Sequence, residues 1–240
     1  MITLRKSENR GVTTLDWLDS RHAFSFGPTA PSDIRGPGVL RVINEDRIAP
    51  GRGFPEHPHK DMEIISYLLS GTLTHKDTLG NVTNVQDGEV QRMTAGTGIR
   101  HSEYNPGQET ANHFLQIWIV PEKMGLTPGY EQRAFPRAEK INAWQLIAAP
   151  DGRNGSLTVH QKSVLLSSIV TTGTRLSRNL AGDRDAWGQV ASGRVSLNGI
   201  DLKAGDGVHL RAEPRIEVTG LAAESEILVF EIPPAEMRQP

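Results

Sequence analysis

The sequence predicts an all-β fold of two tandem sandwich or barrel units, and three observations carry that reading. Short runs rich in Val, Ile, Leu and Thr recur along the chain, punctuated by Gly, Asn and Asp, the pattern of strands and turns. No long stretch repeats its apolar residues at helical spacing. The order of features in the first half recurs in the second, as an internal repeat requires.

Taken in order, the clearest strands are residues 38–43, 64–69, 114–120, 163–170 and 226–232. Regularly spaced short strands of this kind form sandwiches or barrels. One helical turn is expected at residues 15–21. The repeat is read from the turns: a strand ends at Gly71 and another begins, and the same happens at Gly193. Asp87-Gly88 and Gly205-Asp206-Gly207 each open a strand, and the strands at 114–120 and 227–232 are each closed by proline. The turn-rich stretch 148–155 marks the join. The units are taken as residues 1–135 and 136–240, with 233–240 a short exposed end.

A chain of 240 residues accommodates two domains of roughly 100–120 residues each. Its 37% hydrophobic and 22% charged residues suit a globular rather than a disordered chain. A net charge of −2 gives no electrostatic case for nucleic acid or a membrane surface. The arginine-bearing stretches 133–137 and 175–178 read as solvated faces. With no cysteine, disulfides, thiolate metal sites and thiol nucleophiles are excluded. The first ten residues lack the apolar run of a signal peptide, and nothing approaches the roughly 18 apolar residues of a membrane span. A cytoplasmic protein is expected.

The chemistry concentrates in two segments. His57 and His59 stand two apart, as do His101 and Glu103. Residues two apart on a strand share a face, so if these strands face each other, three imidazoles and a carboxylate converge. That set suits a borderline divalent metal, Fe(II), Mn, Co, Ni, Cu or Zn. It leaves coordination positions open, the mark of a catalytic site. Each signal alone is weak: His-Pro-His is a common string, and Glu103 reads equally as a surface carboxylate. Glu63 stands as a fifth ligand, an orienting partner of an imidazole or a plain strand residue. His22, His75, His113, His160 and His209 (the last beside Asp206) read as surface or hydrogen-bonded histidines.

The spacing Gly51-x5-His57-x-His59-x3-Glu63-x7-Gly71 resembles the first cupin motif, and Gly88-x5-Thr94-x-Gly96-x4-His101-x3-Asn105 the second. The early glutamate, Thr94 in place of proline and the stretched spacing before the histidine are departures characteristic of pirins. The strings Phe54-Pro-Glu-His-Pro-His-Lys-Asp-Met-Glu63 and Thr94-Ala-Gly-Thr-Gly-Ile-Arg-His-Ser-Glu103 closely resemble that family. The resemblance runs from Leu4 through Pro234 and is nearest to the bacterial branch described as quercetin 2,3-dioxygenases.

The resemblance implies a bicupin, two jelly-roll-like β-barrels packed together. It implies His57, His59, His101 and Glu103 as ligands of one metal, with Fe(II) placed first and Ni, Cu, Co, Mn or Zn as the others; Glu63 is not a ligand in this pattern. It implies a dioxygenase that opens a flavonol such as quercetin with O₂ and releases carbon monoxide, with Glu103 as the catalytic base. Phe54, Met62 and Trp118 are candidates for an apolar mouth, or else core. The rival reading is a non-enzymatic, metal- and redox-responsive protein that binds other proteins, as some pirins are regarded; a metal-dependent isomerase is a third, since cupins host many chemistries. Aligning Gly193 with Gly71 and Gly205 with Gly88 places Asn179, Ala181, Val218 and Gly220 where the four ligands stand. The second unit is therefore expected to be metal-free.

Overall fold

The most apolar runs show no alternation with polar residues because they form strands covered on both faces, where alternation is not required. The computed structural model describes residues 1–27, 34–182 and 184–233; residues 234–240 of the expected exposed end lie outside them. In chain order the first strands are β1 (Ile2–Arg5), β2 (Gly11–Thr14), β3 (Leu18–His22), β4 (Leu40–Ile48), β5 (Gly53–His59) and β6 (Glu63–Ser70). Then come β7 (Thr72–Asp77), β8 (Val82–Gln86), β9 (Glu89–Thr94), β10 (Ile99–Tyr104), β11 (Asn112–Ile119) and β12 (Gly129–Ala134). After one helical turn, α1 (Arg137–Lys140), follow β13 (Gln145–Ala149), β14 (Leu157–Thr158), β15 (Val164–Thr171), β16 (Arg175–Asn179) and β17 (Asp185–Ser192). The last are β18 (Arg194–Leu197), β19 (Ile200–Lys203), β20 (Gly207–Leu210), β21 (Arg215–Gly220) and β22 (Glu224–Ile232).

The repeat holds strand for strand. The sheet order β9-β6-β11-β4 in the first half matches β20-β17-β22-β15 in the second, and β5-β10-β7-β8 matches β16-β21-β18-β19. The glycines on which the repeat was read share one conformation: φ is 82° at Gly71 and 73° at Gly193, 80° at Gly88 and 83° at Gly205. That region is open to glycine at little cost. Each unit has the jelly-roll form expected, as a sandwich of two sheets that do not close into a full barrel. β1 departs from the division by sequence: it pairs with β20, Ile2 opposite Leu210, and so ties the start of the chain to the second unit. The helical turn expected at residues 15–21 is also overturned. Leu18, Ser20 and His22 are buried alternately along strand β3, a period of two that overrides the local helical pattern.

The two large sheets pack against each other. Ile43 of β4, Ile65 of β6 and Ile117 of β11 share one apolar cluster with Leu165 of β15, Trp187 of β17 and Phe230 of β22. Strand parity then sends the intervening residues of the first unit, among them Asn44, Ser66 and Gln116, into that unit's own interior. A buried polar cluster around Lys140 crosses the join. Lys140 Nζ donates to Tyr67 Oη (2.9 Å) and Glu226 Oε1 (2.8 Å), and Tyr67 Oη donates to the same carboxylate oxygen (2.5 Å). Burial and Glu226 push the Tyr67 hydroxyl well above its usual range, so it stays a donor. Lys140→Ala leaves Glu226 without its cation and is expected to cost about 3 kcal/mol of unfolding free energy. Urea melts of the two proteins check this; a loss below about 1 kcal/mol would mean that the pair behaves as a solvated one. No helix among the described residues is long and apolar enough to cross a membrane.

Candidate metal centre

β5 and β10 run antiparallel, with His101 opposite His57 and Ile99 opposite His59. The register then slips, so that Glu103 faces Phe54. The extra residue falls at Pro55–Glu56, where proline has no N–H to offer the ladder; such bulges re-aim side chains beside active sites. The three imidazoles gather: ring centroids are 4.8 Å apart for His57–His59, 4.5 Å for His57–His101 and 4.9 Å for His59–His101. Their ligand atoms all lie within 4.8 Å of one another.

Hydrogen bonds set which nitrogen each ring presents. His57 Nδ1 lies 2.8 Å from the Pro55 carbonyl, which can only accept, so Nδ1 carries the proton and Nε2 is free. Behind His101 stands a relay. The Asp77 carboxylate is anchored by Leu79 N, Asn81 N and Asn81 Nδ2, and it accepts from His75 Nε2 at 3.0 Å. His75 Nδ1 is then an acceptor, and His101 Nδ1, 3.5 Å away, points its proton there. His101 Nε2 is left buried with no hydrogen-bond partner. Burial first, and the neighbouring imidazoles second, push His59 down to about 4 and His101 down to about 3. Both are therefore neutral at pH 7, the form that ligates metals. A free, buried, neutral nitrogen beside two others fits a divalent cation.

Glu103 sits one step back. It is 1% exposed. Oε1 accepts from Ser66 Oγ (3.0 Å) and Gln91 Nε2 (2.9 Å), and Oε2 from Gln116 Nε2 (2.7 Å). Its oxygens group with His75 and His101 rather than with His57 and His59. Three of the four expected ligands thus meet directly, and the carboxylate joins through His101.

Glu63 points the other way, toward the second unit. Its Oε2 accepts from His160 N and Nδ1, both at 3.2 Å, so it clips the two halves together and orients none of the three imidazoles. His75 and Asp77 are the functional pair that sequence reasoning missed. They repeat the two-apart spacing of His101 and Glu103, but the signal becomes readable only when β7 is known to lie beside β10 with Glu103 opposite His75. His209 is hydrogen-bonded, as expected, with Asp185 as its partner at 3.3 Å, while the carboxylate of the nearby Asp206 accepts from Ser7 N and Lys203 N. In the second unit Val218 faces Leu197 as Glu103 faces His75. Pairing therefore puts Ile216 and Val218, both fully buried, at the places of His101 and Glu103, two residues before those found by counting from glycines.

A cavity of about 470 Å³ opens over the histidines, lined by Trp17, Phe26, Phe54 and Trp118, with His57, His59 and Glu103 in its wall. Trp118 stands edge-on to His59 at 4.9 Å, and Trp17 edge-on to Phe54 at 5.2 Å. Phe54 and Trp118 take the mouth positions expected of them. Met62 does not: it packs against Ile64, Met93 and Ile99 instead.

Two family models match the chain, one for pirin over residues 4–119 and one for the quercetinase C-terminal cupin domain over residues 146–232. The chain is 45% identical over 234 residues to a quercetin 2,3-dioxygenase of Escherichia coli K12, covering 98% of this chain and 100% of that protein. It is 39% identical over 233 residues to a putative quercetin 2,3-dioxygenase of Pseudomonas aeruginosa, covering 97% and 100%. Among solved structures, YhhW of E. coli matches with a TM-score of 0.93 at 45% identity, over 98% of each chain. A nickel(II) complex of YhhW, described as a bacterial pirin, matches with a TM-score of 0.92, over 98% of this chain and 100% of that one.

Proposed function

The chain belongs to the pirin family, and on that premise we propose that it is a metal-dependent dioxygenase which opens a flavonol such as quercetin with O₂ and releases carbon monoxide. The observation that carries the reading is the buried, unpartnered His101 Nε2 beside His57 and His59, which themselves stand in the wall of an aromatic-lined cavity. Apolar pockets with a few convergent polar groups are the usual form of small-molecule sites. His57, His59, His101 and Glu103 would hold one divalent cation. Fe(II) is our first choice; the relative's nickel keeps Ni beside it, with Cu, Co, Mn and Zn as alternatives. When bound, the cation supplies Lewis acidity toward a substrate hydroxyl.

The chain's own groups do the rest. Glu103 takes the proton of the flavonol hydroxyl, and Ser66, Gln91 and Gln116 aim its carboxylate. The Asp77–His75 pair fixes the His101 tautomer, as carboxylates behind ligand histidines do elsewhere. Trp17, Phe54 and Trp118 flank a flat ring and exclude water from it. We assign this chemistry to residues 1–135. Residues 136–240 form a metal-free unit that covers the outer face of the large sheet. Cytoplasmic residence is part of the proposal.

Anaerobic metal analysis, followed by O₂ uptake and carbon monoxide release with quercetin, tests the reading on wild type and His57→Ala. The expected result is about one metal per chain, lost in the variant together with turnover. Metal without turnover would move the site to another substrate or to a redox-responsive regulator that binds a protein partner. No metal, even after reconstitution with iron, nickel, copper or zinc, would end the proposal.

A further inference from the structure

A row of polar side chains crosses the inner face of the large sheet in the first unit. Strand pairing sets His22 opposite Asn44, Asn44 opposite Gln116, Gln116 opposite Ser66 and Ser66 opposite Gln91. Its far members are accounted for: Ser66, Gln91 and Gln116 all donate to Glu103. The near end is not. Asn44 is 5% exposed and lines the cavity, yet its side-chain amide bonds no described residue, and Oδ1 is buried without a partner. One step along the same strand face, Asp46 also lines the cavity. It accepts from Ser20 Oγ, which is itself 2.9 Å from His22 Nε2. The chain of donors thus runs from His22 through Ser20 to one oxygen of Asp46 and leaves the other uncommitted.

Buried amides and carboxyls are kept in protein interiors with partners. An unpartnered amide and a half-partnered carboxyl, two residues apart on one strand, at the wall of the cavity that holds the histidines, call for a ligand with its own hydroxyl groups. Resting on the function proposed above, we propose that Asn44 and Asp46 read phenolic hydroxyls on the substrate ring distal to the metal, with Ser20 and His22 holding Asp46 in place. The metal end selects for a flavonol nucleus; this strip selects among flavonols by the hydroxylation of the pendant ring. The chemistry fits a catechol: Asp46 accepts from one hydroxyl, and the Asn44 amide donates to or accepts from its neighbour.

The test is a set of binding titrations on the iron-loaded protein without O₂, using quercetin, kaempferol and galangin, which carry two, one and no hydroxyls on that ring. Wild type is expected to bind quercetin at least about tenfold more tightly than galangin, because a site built to pair a hydroxyl rejects the analogue lacking it. Kaempferol should fall between. Asn44→Leu is expected to bring the quercetin-to-galangin ratio within about twofold, at unchanged iron content. Asn44→Ala serves should leucine not be accommodated. Binding of all three flavonols by wild type without discrimination would overturn this inference alone, as would discrimination that survives in the variant. Failure of wild type to bind any flavonol would overturn the proposed function and this inference with it.

Discussion

Glu103→Gln is expected to lower turnover about 10²–10⁴-fold, the range removed when a positioned base is lost, while substrate affinity changes little. The side chains have nearly the same shape, so between proteins of equal metal content (Glu103 is also placed among the ligands) the effect isolates the proton and the charge. Glu103 receives donors at both oxygens, from Ser66 and Gln91 at one and from Gln116 at the other. An amide fills only one of those roles, so its NH₂ meets a donor and Gln116 must turn over. That conflict is expected to cost about 1–3 kcal/mol of stability, the penalty for a buried polar group left unpaired. A base acts only as the proton moves, so kcat should fall and the dissociation constant for quercetin should stay near wild type. Single-turnover rates and binding titrations separate the two. A variant that keeps turnover within about tenfold of wild type would remove Glu103 from proton transfer and leave it as a ligand only.

The sequence showed the ligand candidates because their signal is local. His57 and His59, and His101 and Glu103, each carry the strand's period of two within three residues. The five strands read from apolar runs correspond to β4, β6, β11, β15 and β22, all of them in the middle of the two large sheets. The double burial that makes them easy to see also hides which of their residues face the site. The Asp77–His75–His101 relay needed the pairing of β7 with β10. The clip between Glu63 and His160 joins residues 97 apart in sequence. Asn44, Gln116, Ser66 and Gln91 look like scattered polar interruptions until register aligns them into one row. Leu18–His22 is a different case: the charged Asp19 and Arg21 alternate in the sequence with the residues that the structure buries, and that period of two should have displaced the helical turn.

The same row explains why the first unit, and not the second, carries polar groups inside. In the second unit the matching row is Leu166, Val229, Gly188 and Val208, and on β21 Ile216 and Val218 take the places of His101 and Glu103, packed with Leu197 and Val195. Filling an interior with apolar side chains is the stable solution. Polar groups placed there without full pairing lower stability, and they are tolerated where function needs them. The contrast between two copies of one plan therefore separates what the fold requires from what the site requires.

Asp46 gives that contrast a measurable form. Burial, aided by the charges of Glu103, Glu45 and Asp19, pushes its carboxyl up to about 7, against the opposing hydrogen bond from Ser20. His22, beyond Ser20, is held below its usual range by burial and Arg10, and so contributes no compensating charge at neutral pH. In the unfolded chain the carboxyl titrates near its ordinary value of about 3.9. Between these values the folded state holds a proton that the unfolded state has released. Stability therefore falls as pH rises through this window, by about 1.4 kcal/mol per pH unit and up to about 4 kcal/mol in all, and levels off above the folded value. Asp46→Asn removes the penalty. At pH 4 the variant should match wild type or fall short by about 1 kcal/mol, the worth of an imperfect bond to Ser20. By pH 8 it should be the more stable by about 2–4 kcal/mol. Urea melts of the metal-free proteins across this range decide the matter, with metal left out because a bound cation would offset the charge of Glu103. A difference that stays flat with pH would show that Asp46 ionises normally in the fold. A difference that opens toward high pH would show that the chain retains a carboxyl which weakens it under neutral conditions, at the wall of the cavity where a ligand would meet it.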